Sequence, residues 1–79
     1  MERVKVRLAN RLAASRTLVL EPWAHELPFP PGATYLLVAE GDLASAFEIE
    51  LSDDRVTVYA FDNAGAMLEL YDEAGQQLF

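Results

Sequence analysis

Apolar and polar residues alternate one by one through four separate stretches of this chain. Val4, Val6 and Leu8 alternate with Arg3, Lys5 and Arg7. Phe47, Ile49 and Leu51 alternate with Ala46, Glu48 and Glu50. Val56, Val58 and Ala60 alternate with Thr57, Tyr59 and Phe61, and Leu68 and Leu70 with Glu69 and Tyr71. Successive side chains of a β-strand point to opposite faces, so a period of two reads as a strand with one face buried.

The rest of the chain fills in around these strands. The first spans residues 2–9 and is followed by a connection over 10–15. A second spans 16–22, where Pro22 cannot donate to a ladder and marks a strand end or an edge. Residues 23–32 carry three prolines, each of which biases its predecessor to an extended conformation. A short strand fits at 26–29. Pro31-Gly32 is a turn signal, with proline preset for the first corner and glycine free to take positive φ. Residues 33–40 are nearly all apolar, as in a strand covered on both faces. Strands at 45–51, 55–61 and 66–71 follow, joined by Ser52-Asp53-Asp54 and Asp62-Asn63-Ala64-Gly65. Asp72-Glu73-Ala74-Gly75 signals a last hairpin, which lets 76–79 pair back as an eighth strand. The expected fold is all-β: one domain over residues 1–79, a small antiparallel β-sandwich or flattened barrel of seven or eight short strands, a meander from residue 45 onward.

Charge and composition narrow the function. The net charge is −7, yet five of the six basic groups, Arg3, Lys5, Arg7, Arg11 and Arg16, lie at the start. The acidic remainder repels phosphate and disfavours nucleic acid, and it would attract a basic protein partner. No cysteine is present, so disulfides and cysteine-based zinc sites are excluded. Neither a signal peptide nor a membrane-spanning stretch is evident, and a cytoplasmic location is expected. Of the 79 residues, 52% are apolar, which is more than so small a core can hide and which points to an oligomer interface.

Few residues suggest chemistry. His25 is the single histidine. With Glu21 and Glu26 it could offer three metal ligands, but neighbours on an extended chain point apart, so His25 is read as an exposed loop residue and no metal or cofactor is expected. Ser15, Ser45 and Ser52 have turn or strand neighbours and no partner base in sequence. Glu48 and Glu50 share one strand face at roughly 7 Å, a spacing that suits acid–base work on a sugar but also a solvated strand face. Trp23, with Pro22, Pro28, Phe29 and Pro31, forms a stiff apolar loop. Trp23, His25 and Phe29 are therefore candidates for a ligand-site rim, the alternative being a cap on the core. Tyr59, Phe61 and Tyr71 should share one outer face if the strands that carry them pair, as an interface patch or under a second sheet. The stripe of Arg3, Lys5 and Arg7 is expected to meet Glu48 and Glu50 on a neighbouring strand.

The stretch from Leu18 to Gly41, LVLEPWAHELPFPPGATYLLVAEG, resembles a group of short bacterial all-β proteins of unknown function. These have a strand ending in Leu-Glu-Pro-Trp and a Pro-Gly turn into a long apolar strand. They often carry glycine after the tryptophan, where this chain has Ala24. The strand and turn pattern is also similar in outline to a minimal cupin, without the histidines of a metal-binding one, so that resemblance implies shape alone.

These readings favour a non-enzymatic binding or interaction module that self-associates, most simply as a homodimer. A small cupin-like ligand-binding barrel or enzyme, and an acidic neutraliser of a basic toxin or nuclease, are the alternatives.

Overall fold

The structure, a computed structural model, describes residues 2–41, 47–60 and 67–79. Seven strands fill it: β1 (Glu2–Ala9), β2 (Arg16–Glu21), β3 (His25–Phe29), β4 (Thr34–Gly41), β5 (Phe47–Leu51), β6 (Arg55–Ala60) and β7 (Met67–Tyr71). They form a three-stranded sheet, β1-β4-β7, and a four-stranded sheet, β3-β2-β6-β5. The fold is all-β, as the alternation requires, and the two sheets are separate, which makes it a sandwich. Among the described residues no helix is long and apolar enough to cross a membrane.

Alternation decides which face each strand buries. Leu37 and Ala39 of β4 and Leu68 and Leu70 of β7 meet Leu18 and Leu20 of β2, Phe29 of β3, and Val56, Val58 and Ala60 of β6 in one apolar cluster. Leu18, Leu20, Leu37, Leu70 and Val58 are fully buried. Burial of each contributes about 1.5–3 kcal/mol relative to exposure. Val6, Leu8, Leu27, Leu78 and Phe79 pack around the cluster.

The turns follow local chemistry. Ala33 N–H donates to the Pro30 carbonyl at 3.1 Å across Pro31-Gly32, and Gly32 has φ 82°, the positive value that a type II turn needs at its third position. The β2–β3 turn contains a cis Glu21–Pro22 peptide, and Ala24 has φ 55°, in the left-handed region. After β7, Asp72 Oδ1 accepts from the amides of Ala74 (2.9 Å) and Gln76 (2.8 Å), and Gly75 sits at φ 84°.

Five expectations are corrected. The four-stranded sheet is mixed, because β2 and β6 pair in parallel, Thr17 beside Arg55 through Glu21 beside Tyr59. The meander stops at β6, since β7 leaves for the other sheet to pair with β4. Tyr59 and Tyr71 consequently belong to different sheets and form no common patch; Phe61 lies outside the described residues. The eighth strand is reduced to a single bridge between Tyr71 and Gln77, because the Asp72 turn occupies the chain up to Gln76. His25 is the first residue of β3 and half-buried, not an exposed loop histidine.

Candidate functional site

The outer face of the three-stranded sheet follows from its register. Arg3, Lys5 and Arg7 of β1 lie beside Glu40, Val38 and Leu36 of β4, which lie in turn beside Met67, Glu69 and Tyr71 of β7. Arg3 is committed within this face, Nε to Glu40 at 3.5 Å and Nη2 to Glu69 at 3.4 Å. Among the described residues, Lys5, Arg7 and Arg11 have no acidic group within ion-pair distance. A groove of about 780 Å³ runs over this face, with Lys5, Arg7 and Arg11 on one side, Leu36 and Val38 on the floor, and Tyr71 and Asp72 on the other side. The Tyr71 phenol is pushed above its usual range by burial and then by the charge and hydrogen bonding of Glu69. Asp72 is held by its own turn.

The outer face of the four-stranded sheet has the opposite charge. Glu48 and Glu50 of β5 lie beside Tyr59 and Thr57 of β6, and Glu21 flanks Tyr59 from β2. Glu26 reaches Arg55 at 3.9 Å. The basic stripe and the Glu48–Glu50 stripe are therefore on opposite outer faces of the sandwich and do not meet within the chain. That corrects the expected cross-strand pairing. The cause is connectivity: β1 and β5 are edge strands of different sheets.

The Trp23–Phe29 rim is also not assembled. Phe29 is in the core, its ring 5.0 Å from that of Tyr35, whose hydroxyl donates to the Pro28 carbonyl at 2.7 Å. Trp23 and His25 are at the far end of β3, roughly 13 Å along the strand. Their partner is the C-terminal Phe79, with ring centroids at 5.2 Å from Trp23 and 4.9 Å from His25. His25 thus points to Phe79 while Glu26 points outward to Arg55, the divergence expected of neighbours on a strand. No three His, Cys, Asp or Glu side chains converge among the described residues.

The aromatic cluster fixes how the sheets overlap. The Phe79 tail bonds along β7, with Leu70 N–H donating to the Phe79 carbonyl at 3.1 Å and Leu78 N–H to that of Leu70 at 2.7 Å. Its ring touches the start of β3. The tail along the β7 edge therefore meets β3, at the edge of the four-stranded sheet away from β5. At the opposite edge the inward side of β5 is left open. Ile49 and Leu51 pair with Val58 and Val56 and share their inward side. Yet Ile49 is 37% and Leu51 73% exposed, against 0% and 7% for those partners.

The candidate site is this stepped side of the sandwich, bounded by the β1 edge of one sheet and by β5, with its exposed Ile49 and Leu51, at the edge of the other. Sequence reading identified both charged stripes but missed the step, which depends on pairing between distant segments. No family model, no curated protein and no solved structure matches the chain.

Proposed function

We propose that this chain is a non-enzymatic interaction module that self-associates through the stepped side of its sandwich. The observation that carries the reading is the exposure of Ile49 and Leu51 on the side of β5 that elsewhere in the same sheet is core. Apolar side chains aligned with a core face and left in water favour association. The inner faces support a module over a ligand-binding barrel, because they are occupied by one apolar cluster. The mass in solution tests this. Light scattering over a concentration series is expected to reach twice the monomer mass by the high-micromolar range. A constant monomer mass there would overturn the reading.

A further inference from the structure

From the two edges of the stepped side we infer the interface itself: β1 of one copy pairs with β5 of a second copy, and β5 of the first with β1 of the second, about a two-fold axis parallel to the strands. The inference rests on the self-association proposed above and names its contact.

Three observations carry it. The first is the alternation on the two edges. Val4, Val6 and Leu8 are on the inward side of β1 and Arg3, Lys5 and Arg7 on its outward side; Ile49 and Leu51 are on the inward side of β5 and Glu48 and Glu50 on its outward side. A ladder between them places apolar beside apolar on one face and base beside acid on the other. The second is the failure of the other pairings. A β1–β1 ladder would set Lys5 and Arg7 against the same cations, and a β5–β5 ladder would set Glu48 against Glu50. Like charges on facing strands oppose both, as charged edges generally do. The third is the exposure of Ile49 and Leu51 on the inward side of β5. A two-fold axis along the strands exchanges the two layers, so β5 of each copy fills the space beside β1 of the other. Ile49 and Leu51 then come under the other copy's three-stranded sheet.

Direction is also determined. β1 leads directly into Asn10, which bonds to Phe29 at the end of β3 and to Ala14 just ahead of β2. β1 and β2 therefore run oppositely. β6 is parallel to β2 and β5 antiparallel to β6, so β1 and β5 run the same way. The axis preserves direction, and the new ladder is parallel, with evenly spaced bonds. Each seven-stranded layer of the dimer would then be the three-stranded sheet of one copy joined to the four-stranded sheet of the other. Closure by two-fold symmetry limits assembly to a pair.

The test is a charge exchange. Lys5→Glu with Arg7→Glu, and separately Glu48→Lys with Glu50→Lys, should each weaken the homodimer by about tenfold or more. Mixed one to one, the two variants should form a heterodimer about as tightly as the unmodified chain, because both ladders regain opposite charges. Amide hydrogen exchange on the unmodified protein is the second measurement. Protection along β1 and β5 should fall on dilution to monomer while β2 and β4 keep theirs. Variants that dimerise like the unmodified chain, or protection along β1 and β5 unchanged by dilution, would overturn the interface and leave self-association standing. A monomeric unmodified chain would overturn both.

Discussion

The Asn10 side-chain Nδ2 donates to the Phe29 main-chain carbonyl at 2.8 Å, tying the end of β1 to the end of β3. The same nitrogen reaches the Ala14 carbonyl at 3.0 Å, and Oδ1 accepts from the Leu12 amide at 3.0 Å. The Asn10 backbone adds bonds to Ala33 and Gly32. At 3% exposure, this residue joins the two sheets at one end of the sandwich.

Asn10→Ala removes three side-chain bonds and strands the groups they satisfied. Loss of a buried polar partner costs about 1–3 kcal/mol, so a loss of about 2 kcal/mol is expected in urea denaturation. Asn10→Asp, which keeps the acceptor and loses the donor, should also destabilise. An unchanged midpoint for both would show that Asn10 does not join the sheets.

Ala24→Gly should stabilise the protein. A left-handed residue with a Cβ costs about 1–2 kcal/mol, and glycine returns up to about 1 kcal/mol through its more flexible unfolded state. The net gain is about 0.5 kcal/mol, readable as a higher urea midpoint. A lower midpoint would show that Ala24 is not strained at φ 55°.

For the exposed loop residue that the sequence suggests at this position, His25→Ala would be almost silent. Its ring packs on Phe79, so the structure sets the loss at about 1 kcal/mol instead. Phe79→Ala should remove that contact and the one to Trp23, the single tryptophan, and should shift the fluorescence of Trp23 to longer wavelength. Unaltered emission would place Phe79 away from Trp23.

Stability should fall at alkaline pH. The Tyr35 phenol is raised above its ordinary value first by burial and then by the charge of Asp72. The folded state holds this proton where the unfolded state releases it. The contribution is complete below pH about 10 and is lost as pH rises beyond it. Tyr35→Phe should lower stability at neutral pH by about 1 kcal/mol, through the lost bond to Pro28, and flatten the alkaline decline. An equally steep decline in the variant would remove Tyr35 as its source.

Alternation made the strands legible, because the period of side chains along a strand is a local property. Pro31-Gly32 and the Asp72–Gly75 turn were legible for the same reason: their signals lie within a few residues. Strand order was not. Nothing near Thr57 or Tyr59 in sequence says that β6 takes β2 as a parallel neighbour and leaves β7 to the other sheet. The step at β5 was hidden with it. Ile49 and Leu51 alternate like any core strand, and only their place on an edge strand leaves them exposed. Asn10 gave no signal, since an asparagine after a strand fits an ordinary turn and its partners are remote in sequence.

The parallel contact of β2 with β6 also bears on how the molecule is made. During synthesis β2 emerges with β3 as its only early neighbour, since β6 begins at Arg55. A lone hairpin is at best marginally stable in water, so Leu18 and Leu20, with only β4 to pack on in the first half of the chain, stay partly uncovered until β6 and β7 follow. Pairings between remote segments close large loops before they return any contact energy, and they slow folding. Assembly of this small protein should therefore begin late and proceed nearly all at once, with little lasting structure in fragments that end before β6.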